Sequence, residues 1–316
     1  MFVIIGLMMM FPLVFVLSLL FEGIDRKIHA RMQRRIGPPI IQPFYDFIKL
    51  LGKERITPFT AARGIFGMAP ILAASSSLLA GAILLNNIIT RMNIIGDLIL
   101  ILYLIATSSL FIMIGGSSSG NPFGALGFSR KATMFICCEL PMVISIISVY
   151  MKSNFSMSYY NIIEIQIQSG IFLAMSNLSS LLAAISFLIC IPAVIGVVPF
   201  DIPEAKTEII YGPLVEYSGA NLALLRLTKA STAFTLVFLA STIFFYPLSF
   251  IQNSFLLDVG IILASCLFSS FILMLITITI PRTIFSRLKI GQTFRFYFLL
   301  LFPLSTVSVF LSFLGL

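Results

Sequence analysis

Four carboxylates in one polar break of an otherwise apolar chain could take up and release protons. Asp201, Glu204, Glu208 and Glu216 lie within 16 residues, although the 316-residue chain has only 12 acids. They belong to a 31-residue polar break, residues 199–229, between two long apolar runs. Ionisable groups beside lipid are costly unless they are paired, hydrated or functional. The break predicts a titrating cluster for protons or cations, and helix capping with surface solvation is the structural alternative.

Local patterns predict how this acidic loop folds. In Asp201-Ile-Pro-Glu204, Asp201 resembles a helix cap, and the proline is tolerated in a first turn. Glu204 and Glu208 would then share one helical face, where like charges repel. We therefore expect one of them to be neutral or paired with Lys206 or a basic residue of the first loop.

A fifth carboxyl lies inside an apolar run. Glu139 stands in the segment FICCELPMVI. An ionisable residue within a membrane span is a functional candidate by default, so we add Glu139 to the predicted proton path. The structural alternative is a hydrogen-bonded glutamic acid beside a kink at Pro141.

The first polar loop, residues 22–64, is rich in arginine and lysine. Apolar residues recur at helical spacing over 40–51, with Asp46 and Lys49 on the polar side, which predicts an amphipathic helix at the membrane interface. Gly37-Pro38-Pro39 predicts a turn before it. A solvated surface helix is the alternative, but the dense arginines at 31–35 favour a docking and coupling surface. Its candidate residues are Asp25, Arg26, Arg31, Arg34, Arg35, Asp46 and Lys49.

The composition identifies the elements that must position these groups. The chain is 59% apolar and 10% charged, whereas soluble domains carry about 25% charged residues. A span needs about 20 mostly apolar residues, which predicts an all-α polytopic membrane protein forming a single transmembrane domain, residues 1–316, and a retained first span in place of a cleaved signal peptide. Eight transmembrane helices are predicted, at 2–21, 65–86, 98–116, 132–151, 177–198, 230–247, 258–280 and 295–315.

The basic residues predict the orientation. Eighteen of the 20 lie in loops on one side of these spans, and only Arg91 and Lys152 lie on the other. The positive-inside rule makes that side the cytoplasm, with the loops 22–64 and 199–229 cytoplasmic and both termini outside. Membrane orientation accounts for the net charge of +8, so nucleic-acid binding is not implied.

Other functions are disfavoured by what the sequence lacks. Four dispersed cysteines and one histidine do not form the clusters that zinc or iron–sulfur sites need, so no metal, cofactor or catalytic residue is expected in this chain. The sequence has no convincing internal repeat, which counts against a stand-alone secondary transporter.

Motifs in the first loop and in the acidic loop resemble those of the quinone-site membrane subunit of respiratory complex I, and the eight-span layout agrees with that family over essentially the whole chain. Its first loop is matched by Asp25-Arg-Lys27, Ala30-Arg-Met-Gln33, Arg35, Gly37-Pro38, Gln42-Pro43, Asp46 and Lys49-Leu50, and its acidic loop by Pro199-Phe-Asp-Ile-Pro-Glu-Ala205 and Glu216-Tyr-Ser-Gly219. Three departures stand out. Asp25 replaces the usual Glu, the first loop is about six residues shorter, and Val194, Gly196 and Val197 replace polar residues before the second motif.

The shorter loop and the apolar approach resemble the energy-converting membrane-bound NiFe hydrogenases and related ferredoxin-linked complexes. The resemblance implies a membrane anchor and coupling subunit, part of an ion-translocating oxidoreductase in a prokaryotic cell membrane. It implies hydrogenase-like large and small cytoplasmic subunits that carry the NiFe centre and iron–sulfur clusters, and antiporter-like membrane subunits. The alternative is the quinone-binding subunit of a NADH:quinone oxidoreductase, which would also allow the mitochondrial inner membrane.

Overall fold

The chain folds into a bundle of helices. The computed structural model describes residues 2–90, 98–153, 155–156, 158–246 and 255–315. Within these ranges it has no strand, and eight helices are long and apolar enough to cross a membrane. The prediction of an all-α protein with eight spans is confirmed. Arg91, predicted on the outer side, and residue 247, the predicted end of span six, lie outside the described residues.

Fourteen α-helical segments make up the described chain. They are α1 Phe2–Met32, α2 Gln42–Leu51, α3 Arg63–Thr90, α4 Leu98–Ser117, α5 Pro122–Lys152, α6 Tyr159–Ser169, α7 Leu173–Ser176, α8 Leu178–Ile195, α9 Lys206–Ile209, α10 Gly219–Phe244, α11 Phe255–Met274, α12 Ile280–Ile284, α13 Ile290–Arg295 and α14 Phe302–Phe313. Short π-helical turns, Leu275–Thr279 and Phe296–Leu301, join α11 to α12 and α13 to α14.

Three spanning helices extend further into polar sequence than hydropathy predicts. α1 continues to Met32, α5 begins at Pro122 and α10 begins at Gly219. Asn121 caps α5 by accepting a hydrogen bond from the backbone N–H of Phe123, and the proline at the first helical position suits this start. As a result, Lys131 and Lys229, which the sequence places in loops, lie on helices that reach into the bundle.

The core is formed where spanning helices pack closely. α3 packs against α4 and α10, α5 packs against α8 and α14, and α1 packs against α3 and α10. Small residues allow the close approach. A Cβ added at Gly81 of α3 would lie 2.7 Å from a methyl of Thr235 on α10, and the hydroxyls of Ser77 and Ser231 lie 2.6 Å apart. Such packing and interhelical hydrogen bonds hold membrane helices together, because lipid supplies little hydrophobic drive between them.

The predicted amphipathic helix forms and lies against the bundle. α2 packs on α1 and α10, and Phe15 of α1 makes edge-to-face contacts with Phe44 and Phe47 at centroid distances of 6.3 and 5.2 Å. Lys49 on its other face is exposed. Phe44 and Phe47 of the apolar face are therefore packed against the bundle, whereas Ile41, Ile48 and Leu51 of that face remain exposed.

The acidic loop differs from its predicted helix. No helix starts at Asp201, and the only α-helical turn between Pro199 and the start of α10 at Gly219 is α9. The Asp201 carboxylate accepts a hydrogen bond from Arg287 at 2.8 Å, so a distant cation takes the group that would have capped a helix. Ile210, Tyr211 and Gly212 all have positive φ, and a Cβ at Gly212 would lie 2.2 Å from the carbonyl oxygen of Pro203. The chain reverses there, so Glu204 and Glu208 do not share a long helical face.

Candidate functional site

Several helix ends and the acidic loop enclose a cavity of about 250 Å³, here called the charged cavity. α1 contributes Glu22 and Asp25, the acidic loop contributes Asp201 and Glu204, and α10 and α12 contribute Lys229 and Arg282. Four acids and two bases thus face one space, beside an apolar wall. That wall is formed by Phe21, Ile195, Val197, Val198, Ala230, Ala233, Phe234, Met274 and Ile278.

Each of three acids in the charged cavity has its own cation. Glu204 is paired with Lys229. Asp201 is paired with Arg287, just outside the cavity, at 2.8 Å. Asp25 accepts hydrogen bonds from Arg282 at 3.0 Å and from the hydroxyl of Thr279 at 2.7 Å. Since a buried carboxylate is tolerated when paired and hydrogen-bonded, these contacts explain how the acids stand beside an apolar wall.

The electrostatics of the charged cavity favour proton binding at Asp201. Burial and the neighbouring carboxylate of Glu204 raise the pKa of Asp201 above its ordinary value, against the opposing effects of Lys229 and Arg287. Desolvation disfavours a charged carboxylate, and so does a like charge nearby. A proton that enters the cavity therefore finds an acceptor whose affinity depends on the surrounding charges.

Glu208 and Glu216 lie apart from the charged cavity. The carboxylate of Glu208 is 2.5 Å from Arg130 of α5, and its side chain is 61% exposed. Glu216 accepts a hydrogen bond from the amide of Asn121 at the start of α5. Of the expected alternatives, pairing with the first loop does not occur, because Glu204 is paired with Lys229 of α10 and Glu208 with Arg130 of α5. The side chain of Lys206 is not among those that the structure describes.

Glu139 lies in a second, mostly apolar space of about 350 Å³ between α4 and α5, here called the lateral groove. Its other lining residues are Leu98, Ile99, Leu102, Tyr103, Ala106, Val143, Ile146, Ile147, Tyr150, Ser156 and Ile162. Oε1 of Glu139 is buried and accepts no hydrogen bond from any described residue. The structure therefore does not bring Glu139 into the charged cavity with Asp201 and Glu204.

The candidate docking residues divide into exposed and paired groups. Arg31, Arg34, Arg35 and Lys49 are exposed and form no ion pair with the described residues. Asp25 is instead buried in the charged cavity, with 7% exposure.

Asp46 is paired with Arg26 at 2.9 Å and with none of the arginines at 31–35. Arg26 also bonds Glu22, so one guanidinium links the charged cavity to α2. Partial burial opposes ionisation of Asp46, but hydrogen bonds from Gln42 and Arg26 outweigh it and lower its pKa.

Sequence reasoning missed four charged residues. Glu22, Lys229 and Arg282 line the charged cavity, and Lys131 is buried on α5 beside Glu204. The positive-inside rule assigned Lys131, Lys229 and Arg282 to loops, and it gave no indication that they would lie inside the bundle. The available signal was that Lys131 and Lys229 each directly precede a predicted span, because a lysine on a helix that continues into a span must find a partner.

The described residues contain no group of three or more His, Cys, Asp or Glu side chains placed to hold a metal ion. The acids of the charged cavity face the guanidinium and ammonium groups of Arg282, Arg287 and Lys229. The arrangement suits proton exchange among carboxylates within an ion-paired network.

Comparison with known proteins gives consistent matches along the whole chain. Residues 4–313 match the family model described as NADH dehydrogenase. The chain is 31% identical over 306 residues to the H subunit of the NADH-quinone oxidoreductase of Thermomicrobium roseum, covering 90% of this chain and 87% of that protein. It is 35% identical over 212 residues to hydrogenase-4 component C of Escherichia coli, covering 66% of this chain and 64% of that protein.

A solved structure has the same fold. The chain superposes with a TM-score of 0.87 and 29% identity on a chain from the membrane-bound sulfane sulfur reductase, an archaeal respiratory membrane complex. The match covers 99% of this chain and 100% of that one. The similar proteins are thus components of prokaryotic complexes that are named for different reactions, namely NADH–quinone oxidoreductase, hydrogenase and sulfane sulfur reductase.

Proposed function

The chain belongs to the NADH dehydrogenase family, and we propose that it is the membrane anchor and coupling subunit of a redox complex of the membrane-bound NiFe hydrogenase type. Its relatives are subunits of membrane oxidoreductase complexes. The proposal rests mainly on the charged cavity, a set of ion-paired acids on α1 and the acidic loop. Electron transfer in a docked module would shift the protonation of these acids and so the helices that carry them.

The shape and lining of the charged cavity support the hydrogenase-type branch. Its volume of about 250 Å³ is below the roughly 300–1,000 Å³ of typical small-molecule sites. On the α8 side it is closed by Ile195, Gly196, Val197 and Val198, which offer no charged group to a ligand. One relative is named hydrogenase-4 component C, and the superposed structure is a sulfane sulfur reductase. These features favour a space for protons and water.

The first loop supplies the proposed docking surface. Arg31, Arg34, Arg35 and Lys49 are exposed, and Ile36 and Phe59 are almost completely exposed. Exposed apolar residues among cations are typical of a protein interface. We assign this surface, on the cytoplasmic side of a prokaryotic cell membrane, to the hydrogenase-like large and small subunits that carry the NiFe centre and iron–sulfur clusters. Antiporter-like membrane subunits would complete the ion path.

The proposed proton path has two parts. Asp201 and Glu204 exchange protons in the charged cavity, with Glu208 and Glu216 on the acidic loop outside it. Glu139 carries the path into the membrane from the lateral groove. The two parts are joined by α5, which bears Glu139 and contacts the acidic loop through Arg130.

Purification of the native complex tests the assignment. We expect co-purifying subunits with nickel and iron, and ferredoxin-driven ion uptake into sealed vesicles. A complex without nickel that reduces an added quinone would replace this proposal with its alternative.

That alternative is the quinone-binding subunit of a NADH:quinone oxidoreductase. It is favoured by the apolar wall of Phe21, Phe234 and Met274, which could contact a quinone ring, and by the name of the Thermomicrobium roseum relative. Extraction of a bound quinone from the purified complex decides between the two.

The docking assignment has a separate test. Replacing Arg34 and Arg35 with Glu should release the redox module, because both cations would become repulsive to an acidic partner. Co-purification of the module is the measurement. Arg295→Glu changes an exposed cation at the end of α13 and should leave co-purification unchanged. A module still bound to the Arg34/Arg35 variant would contradict the assignment.

The role of Glu139 is tested by Glu139→Gln, which keeps the side chain's size and removes its titration. We expect ion pumping to fall severalfold while hydrogen chemistry with a soluble donor continues. The control is Glu164→Gln, which neutralises an exposed acid of α6. Unchanged pumping in the Glu139 variant would remove this residue from the path.

A further inference from the structure

Three charged side chains are buried among the described residues, and one of them lacks a direct partner. Asp25, Lys131 and Glu204 are 7%, 6% and 8% exposed. Asp25 is bonded to Arg282 and Glu204 to Lys229, as described above. The ammonium of Lys131 makes no hydrogen bond or ion pair with a described residue. Burying an ammonium without compensation is costly, so the position calls for a polar neighbour.

A small cavity beside Lys131 leads to Glu204. Its volume is about 10 Å³, and it lies between α5, the end of α8 and the acidic loop. Lys131, Glu204 and Ser109 are its polar side chains, and Cys138, Val194 and Pro203 complete much of the wall. A space of about 10–15 Å³ holds one water molecule when polar groups surround it. This interior cavity can therefore hold a single bridging water.

Glu204 is the side chain that lines both spaces. It faces Lys229 in the charged cavity and Lys131 in the interior cavity. Lys229 bonds Oε2, and no described residue donates to Oε1. Lys131 is attracted by the charge of Glu204 and repelled by that of Lys229. One carboxylate thus stands between two ammonium groups, and only one of them bonds it directly.

Building on the proposed function, we propose that Lys131 is a second counter-ion of Glu204, joined to it through one water in the interior cavity. It is a positioning residue that keeps Glu204 ionised from the bundle side, opposite Lys229. Lys131 precedes Glu139 by eight residues on α5, a rise of about 12 Å along the helix. It therefore lies between the charged cavity and the lateral groove.

Charged and titratable groups face Glu204 from several elements. Asp201 stands on its own loop, Lys229 on α10 and Lys131 on α5. Glu22, Asp25, Arg282 and Tyr211 share the charged cavity. Only Lys131 reaches Glu204 from the interior cavity. Its removal therefore changes the charge on that side and leaves the direct bond from Lys229 in place.

Infrared spectroscopy of the purified complex measures this effect. The carboxyl band that disappears in Glu204→Gln reports protonated Glu204. A neighbouring cation favours the ionised form of a carboxyl group about tenfold or more over the protonated form. We therefore expect Lys131→Met to raise the ratio of protonated to ionised Glu204 about tenfold at a given pH. Lys131→Arg keeps the charge and should resemble the wild type, as should Lys289→Met, which removes an exposed lysine.

An equal ratio in Lys131→Met and the wild type would overturn the proposal. If the methionine variant does not assemble, Lys131→Gln is the second neutral variant, because its amide can still bond the water. In sealed vesicles we expect fewer ions pumped per electron in the neutral variants and a normal number in Lys131→Arg. A wild-type complex that pumps no ions would refute the proposed function, while the infrared ratio would still decide the role of Lys131.

Discussion

The charged cavity and the lateral groove treat carboxylates in opposite ways. In the charged cavity Asp25, Asp201 and Glu204 each have a cationic partner, drawn from α10, α12 or the segment after α12. In the lateral groove Glu139 has apolar neighbours, and no described residue bonds its buried oxygen. In the first region each of these acids faces a counter-charge, whereas the second region holds one carboxyl without a cationic partner among the described residues. The acids that the sequence predicts as one proton path therefore lie in two sites of different character, with Asp201 and Glu204 in the charged cavity and Glu139 in the lateral groove.

The largest expected effect comes from breaking a buried pair in the charged cavity. Arg282→Met leaves Asp25 buried without its cation, and loss of one partner of a buried pair typically costs about 3–5 kcal/mol. The free energy of unfolding in mixed micelles measures this. Asp25→Asn combined with Arg282→Met should lose less, because no charge is left unpaired. A single-variant loss below about 1 kcal/mol would mean that cavity water solvates Asp25 as well as Arg282 does.

A smaller, pH-dependent effect should come from Asp201. Since its pKa is raised in the folded protein, the folded state holds this proton more tightly than the unfolded state. Its contribution to stability is then complete below the ordinary carboxyl range and is lost as pH rises through the raised pKa. Asp201→Asn should lack that fall, so its unfolding free energy should decline less between acid and neutral pH. Parallel pH profiles for the two proteins would contradict the raised pKa.

The ion pair between Arg130 and the exposed Glu208, outside the charged cavity, should matter least among the ion pairs. Arg130→Met removes the partner of Glu208, whose side chain is mostly in water, and exposed pairs contribute about 0–1 kcal/mol. The same unfolding measurement applies. A loss comparable to that of Arg282→Met would remove the distinction between the cavity and its surroundings.

In the lateral groove, neutralising the acid should have almost no effect on stability. Glu139→Gln breaks no hydrogen bond to Oε1, so the free energy of unfolding should change by less than about 0.5 kcal/mol. Glu204→Gln is the matched variant in the charged cavity, and it should destabilise because Lys229 loses its carboxylate. Equal losses in the two variants would show that Glu139 also has a partner in the assembled protein.

Much of the fold followed from hydropathy, and much of the site did not. The eight spans and the amphipathic helix were predictable because each requires only a local pattern of apolar residues. The end of α1 and the starts of α5 and α10 could not be predicted, because the mean hydropathy falls at a charged residue whether or not the helix ends there. The predicted helix at Asp201 failed for a related reason, since Arg287 competes for its carboxylate.

By itself the sequence determined the membrane class, the number of spans, the concentration of acids after Pro199 and the family motifs. These depend on composition and order along the chain. Only the tertiary structure decided which charges meet, because Asp25 and Arg282 are 257 residues apart and Lys131 reaches Glu204 from a different helix. Charges interact more strongly in the low dielectric of the bundle than in water. The pairing of buried charges, and not their number, therefore distinguishes the acids of the charged cavity from Glu139 in the lateral groove.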